Sequence, residues 1–377
     1  MANASHLHVD HVGSLLRPAA LREARIRLLG KHDADHNLGP HRNAELTAIE
    51  DGFVRDAVKL QEDSGLSVVT DGDYRRRSWW TDFLLGFSGL RISYDGKTPI
   101  TLINAAGETR PIAGFKIEGA IRPRESTLAK SFEFLKSATS RTAKATIPGP
   151  PIVHFLRDAD FIPAVYKDID TFWADLVAAY RVEIAKLAAT GCKFLQIDEC
   201  MLPYLCDPRH RKMSASRGDD PDTLIQTYVR VIDEIASEKP KDMIVAMHMC
   251  RGNMNAFWGG DGGYGPVAEA VFNMSNIDAF LLEYDTPRAG DFTPLRHVPR
   301  GKQVLLGIVS TKDAHIEDKD ALKHRVDEAA RHLNGAQLGI CPQCGFSTNL
   351  FGTDFTIDVE RRKLELLVET AAEIWGG

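Results

Sequence analysis

The strongest constraint on the fold is a repeated rhythm: a short apolar run, a loop, then a long segment with helical spacing. At 44–64, Leu46, Ile49, Phe53, Ala57 and Leu60 share one helical face, with charged residues between them. Gly65 reads as a helix stop, and LSVVTDGD as a buried strand and turn. The pattern returns at 168–198, where Leu176, Tyr180, Ile184 and Leu187 line a face, Gly191 closes it and CKFLQIDE is the strand. A third helix is expected over about 221–238, before the strand DMIVAMHMC. Strands are expected near 8–13, 66–71, 143–148, 192–198, 243–248, 279–284, 303–309 and 336–340. Strands alternating with helices in this number predict an α/β fold, a (β/α)8 TIM barrel. A doubly wound open sheet has the same periodicity. The rhythm breaks at about 82–142, where GFSGLRISYDGKTPI and GFKIEGAIRP look like hairpin strands. That stretch reads as a β-rich insertion after the second strand. With no repeat or low-complexity linker, residues 1–377 read as a single domain.

A length of 377 residues suits one elaborated barrel. Charged residues at 26% and apolar residues at 44% are the balance of a globular protein, not of a disordered or fibrous one. The net charge of −6 gives no electrostatic reason to bind nucleic acid. No apolar run approaches the ~18 residues of a membrane span. The start MANASHLHVDHVGS lacks the features of a secretory signal, so a cytoplasmic location is expected. In that reducing compartment, six cysteines point to metal binding or catalysis rather than to disulfides.

Chemistry in such barrels sits at the C-terminal strand ends. Polar residues collect there: Asp71 and Asp73, Asp198 and Glu199, His248 and Cys250, Glu283 and Asp285, Ser310 to Lys312, and Cys341 with Cys344. His248 and Cys250 form a His-x-Cys pair whose side chains share one face of an extended chain. With the Cys341–Cys344 step they can supply a tetrahedral zinc site. Their wide separation in sequence favours a site built across strands. A Cys341–Cys344 redox pair is the competing reading.

At these residues the chain resembles the catalytic barrel of the cobalamin-independent methionine synthase family. The resemblance rests on HVGS, TDGD, IPGPP at 147–151, QIDE at 196–199, HMC at 248–250, LLEYD at 281–285 and CGFST at 344–348, in this order. It implies one Zn²⁺ held by His248, Cys250, Glu283 and Cys344, with Cys341 a neighbour. Coordination by both Cys341 and Cys344 is the alternative. It further implies that a substrate thiol is alkylated at the metal, and that Ser14, Asp73 and Asp198 meet the substrate. There are departures. Asp73 stands where the family has a glutamate, Lys312 where it has a catalytic histidine, and QIDEP has become QIDEC at Cys200.

The single-barrel size also looks like a branch that includes epoxyalkane:coenzyme M transferase. On that resemblance the expected reaction is addition of coenzyme M to a short aliphatic epoxide. Arg75, Arg76 and Arg77 would then receive the sulfonate, and Lys312, Tyr74 or His315 would protonate the alkoxide. Methyl transfer to homocysteine is the alternative with the same chemistry, and a non-catalytic zinc protein is the alternative of another class. The expected partners are a small-molecule thiol and an electrophilic alkyl donor. A homo-oligomer is compatible with the fold.

Overall fold

The computed structural model describes residues 7–30, 43–93, 98, 100–124, 126, 128–157, 165–350, 353 and 355–376. Its strands in chain order are β1 (Val68–Val69), β2 (Phe87–Ser93), β3 (Thr101–Ile103), β4 (Thr109–Pro111), β5 (Gly114–Pro123), β6 (Thr142–Pro148), β7 (Phe194–Glu199), β8 (Ile244–Met249), β9 (Ala279–Glu283), β10 (Gln303–Val309) and β11 (Leu338–Pro342). Seven of them form one parallel sheet in the order β1-β6-β7-β8-β9-β10-β11. The order follows the chain without a reversal, which excludes the doubly wound alternative.

The strand expected at 8–13 forms no ladder. Only Val9 bridges, in parallel, to Ile340. The reason is that this segment divides its hydrogen bonds between two neighbours. Asp10 N–H donates to Ile340 O (3.3 Å) and Ile340 N–H to His8 O (2.9 Å). Beyond Gly13, whose φ of +128° turns the chain, Leu15 N–H donates to Gly72 O (3.0 Å). Residues 8–15 thus run from β11 to the end of β1.

Local chemistry sets the helices. Asn43, Asp168, Asp220, Asp318 and Thr356 each accept a backbone N–H at the start of a helix, satisfying a donor that has no partner inside it. Gly65 and Gly191 adopt φ of +89° and +86° just past the helices Ala44–Asp63 and Ile169–Ala189, as their positions predict. Alternation along the strands separates two cores. Val245, Leu282 and Leu306 pack with helix residues such as Tyr228 and Val231. Their neighbours Leu281, Leu305 and Phe194 pack with Leu7, Val12 and Cys341 on the other face.

The 82–142 stretch is antiparallel in part: β2 pairs with β5 and β3 with β4, before a helix at Leu128–Ser137. The expected hairpin tip at 94–97 and 99 lies outside the described residues, as does the N-terminal hexapeptide. The hairpins dock on loops that follow the sheet. Ile103 and Trp258 exchange two 2.8 Å backbone hydrogen bonds, and Phe115 N–H donates to Leu156 O at 3.0 Å. This brings β3 and β4 over the C-terminal strand ends. Among the described residues no helix is long and apolar enough to cross a membrane.

Candidate metal centre and its cavity

β7 and β8 run in register, with Asp198 beside His248. His248 is the penultimate residue of β8, Cys250 follows the strand, and Cys344 follows β11. One donor atom from each of His248, Cys250 and Cys344 lies within 4.8 Å of the others, and all three residues are buried. The imidazole Nδ1–H donates to Leu281 O at 3.2 Å, which leaves Nε2 as the acceptor nitrogen. Nε2 is buried and has no hydrogen-bond partner. An unpartnered imidazole nitrogen beside two buried sulfurs is the donor set of a zinc-type ion, so the residues fit the metal.

Cys250 Sγ is 3.7 Å from Cys344 Sγ and 3.4 Å from Cys200 Sγ. Hydrogen bonds from these two thiols, with His248 nearby, hold Cys250 well below the usual thiol range despite burial. Cys344 and Cys200 are pushed well up, first by donating to Cys250 and then by burial. Burial, the largest single influence, lowers His248, but Cys250, Asp198 and Glu283 together outweigh it and the net direction is upward. Burial and mutual proximity thus work against a second thiolate among these sulfurs. A divalent cation allows more thiolates to coexist.

Glu283 ends β9 outside this compact trio. Its Oε2 accepts Arg251 N–H at 2.5 Å. Its Oε1 accepts from Arg288 Nη2 at 2.8 Å and from Lys312 Nζ at 3.3 Å. Burial raises its pKa, but Lys312 and Arg251 prevail and the carboxylate stays charged. Lys312 also pairs with Asp285 at 3.0 Å. Cys341 is on the inner face of β11, with Sγ toward Leu305 O, and takes no part in the cluster. All six cysteines are free; of the competing Cys341–Cys344 redox pair, Cys344 sits in the cluster while Cys341 Sγ faces Leu305 O.

The cluster opens on a cavity of about 370 Å³. Ser14, Asp73, Arg77 and Asp198 line it. Burial raises Asp198 to about 7, with His248 as the main opposing influence. Asp73 is also raised by burial, against the pull of Arg76. The other expected residues lie elsewhere. Tyr74 donates its hydroxyl to Leu16 O (2.9 Å) within a buried apolar cluster. Arg75 is fully buried between Asp51 (2.5 Å) and Glu50 (3.4 Å). Arg76 is held by Asp73 (3.3 Å) and Thr146 (3.1 Å). Neither arginine lines the cavity, so the expected triple-arginine cradle reduces to Arg77. His315 is exposed on the loop after β10, its N–H bonded to Asp313.

Sequence reasoning missed Cys200, Trp79, Trp80, Tyr204 and Arg110, all on the cavity wall. Cys200 was visible as the residue after QIDE, and the two tryptophans as the aromatic pair after the arginine run. Arg110 comes from β4 and could be found only once the hairpin was docked.

Comparison with known proteins covers nearly the whole chain. The family profile described as "Cobalamin-independent synthase, Catalytic domain" matches residues 23–372. The Bacillus subtilis protein YxjH, itself uncharacterised, is 34% identical over 370 residues, covering 97% of this chain and 94% of that protein. A 5-methyltetrahydropteroyltriglutamate–homocysteine methyltransferase from Thermosynechococcus vestitus is 24% identical over 340 residues, 89% of this chain but 40% of the enzyme. A Listeria monocytogenes structure, assigned as a vitamin-B12-independent methionine synthase, superposes with a TM-score of 0.74 at 32% identity over 98% of both chains. A B12-independent methionine synthase from Shewanella, solved with selenomethionine, has a TM-score of 0.69 at 17% identity, covering 98% of this chain and 97% of that one, and shares the fold.

Proposed function

The chain belongs to the cobalamin-independent methionine synthase catalytic-domain family, and on that premise we propose that it is a zinc-dependent methyltransferase acting on the thiol of a homocysteine-like amino acid. One observation carries the reading: His248, Cys250 and Cys344 meet at a cavity that two acidic side chains, Asp73 and Asp198, also line. Residues 8–15, bonded to both edges of the sheet, act as the eighth stave of a (β/α)8 barrel, and the β2–β5 and β3–β4 pairs form its roof.

His248, Cys250 and Cys344 would hold the zinc. When bound, it supplies the Lewis acidity that keeps a substrate sulfur deprotonated at neutral pH. Asp198 and Asp73 receive the amino group. A bound ammonium stabilises their charged forms and reverses the upward shift caused by burial. Ser14 offers a hydroxyl to the substrate carboxylate. Lys312, Arg251 and Arg288 keep Glu283 charged and anchored. Trp79, Trp80 and Met201 give the donor an apolar wall and exclude water. The methyl carbon forms its bond to sulfur as the bond to the donor breaks, with the bonding pair staying on the donor.

The test is methionine formation by the zinc-loaded chain from homocysteine and 5-methyltetrahydrofolate, with a simple methylated sulfur donor as a second arm. Zinc-dependent methionine supports the reading; none from either donor refutes it. The coenzyme M reading retains Arg77 and Arg110 as cations on the wall but loses Arg75 and Arg76. Consumption of coenzyme M with epoxypropane in the same preparation would favour it instead.

A further inference from the structure

Next to the trio stands a sulfur with no assigned role. Cys200 follows β7 and lines the cavity with Cys250 and Cys344. The three sulfurs form a chain, with Cys250 3.4 Å from Cys200 and 3.7 Å from Cys344. Thiolates bound at ~2.3 Å to one tetrahedral zinc sit roughly 3.8 Å apart. Both contacts are near that spacing and far from the ~2.05 Å of a disulfide. The competitor for the fourth position, Glu283, is engaged by Arg251, Arg288 and Lys312. Releasing it would take from Arg288 its 2.8 Å partner and from buried Arg251 a carboxylate 3.9 Å away, while Lys312 would keep Asp285 at 3.0 Å.

We propose that Cys200 is a third thiolate of the metal centre, completing a His-Cys₃ donor set when no substrate thiol is present. Glu283 stays with its cations. This rests on the metal reading above and specifies its fourth donor. Cys200 touches Cys250 and is not part of the compact trio, so binding moves Cys200 Sγ toward the other ligands by rotation about its single side-chain bond. Three soft sulfurs and an imidazole make a set that selects zinc over hard divalent ions.

X-ray absorption at the zinc edge of the full-length, zinc-loaded chain without substrate tests this. The expected count is three sulfurs and one nitrogen, falling to two sulfurs in Cys200→Ser and staying at three in Glu283→Gln. Zinc should also pass to a chromogenic chelator faster from Cys200→Ser, on the order of tenfold or more. The wild-type count decides the matter even if the variant fails to fold. Two sulfurs in the wild type, unchanged in Cys200→Ser, would overturn the proposal and leave the metal reading standing. A wild-type chain that takes up no zinc would overturn both.

Discussion

Replacing Glu360 by Gln isolates one buried acid that helps to hold the Ser14 segment in place. Glu360 lies in the helix Ile357–Trp375, 1% exposed, and its Oε1 accepts Leu16 N–H at 3.0 Å. Burial pushes its pKa from 4.5 to about 8. Between those values the folded chain keeps a proton that the unfolded chain has released. The stabilisation from this group is therefore full below pH 4.5 and is lost as pH rises through about 8. Three and a half units at about 1.4 kcal/mol each give roughly 5 kcal/mol in all. Gln keeps the acceptor for Leu16 and cannot ionise. Urea unfolding followed by tryptophan fluorescence, at about pH 5 and about pH 9, should show the variant gaining roughly 4 kcal/mol on the wild type between the two conditions. Other raised acids, such as Glu199 at about 8, affect both chains alike and cancel in the difference. An unchanged gap between the two pH values would refute the reasoning.

Arg75→Met should lower stability by about 1.5–3 kcal/mol, because it takes from buried Glu50 one of its two guanidinium partners, Arg25 remaining, and takes from Asp51 its 2.5 Å partner, while leaving the KM for thiol unchanged. Arg77→Met, on the cavity wall, should raise a substrate KM with little loss of Tm, and steady-state kinetics with thermal melts separate the two. Cys344→Ser and Cys250→Ser should lose bound zinc and turnover, whereas Cys341→Ser should keep its zinc, as metal analysis after dialysis will read. In Gly149→Ala the new Cβ falls 2.3 Å from Glu199 Oε2, and the Gly149 N–H bonded to Asp198 O (2.7 Å) must shift. It should cost about 1–3 kcal/mol in a denaturant titration.

The parallel sheet was legible because each buried strand is a short apolar run that ends in polar residues. QIDE and AMHMC are such runs, and their registry puts Asp198 beside His248. The 8–13 segment has the same composition but shares its hydrogen bonds between two edges, a tertiary choice that periodicity does not encode. The Arg75–Arg77 run was misleading for a local reason. Asp73 has a φ of +60°, and the turn after it points consecutive side chains in different directions. Arg75 goes to Glu50 and Asp51, Arg76 to Asp73, and Arg77 to the cavity. Cys341 and Cys344 also looked equivalent. One lies on the inner face of β11, and the other lies past its end, where the chain reaches the metal cluster. The state of Glu283 depends on Arg251, Arg288 and Lys312, contributed by three different loops, and no local motif brings these together.

The central claim is that the substrate's own sulfur binds at the His248–Cys250–Cys344 cluster before it is alkylated. Selenohomocysteine added to the zinc-loaded chain tests it without relying on turnover. The account predicts a zinc–selenium contact in X-ray absorption that is present in the wild type and absent in Cys250→Ser. Selenohomocysteine bound in the cavity with no selenium beside the zinc would contradict it.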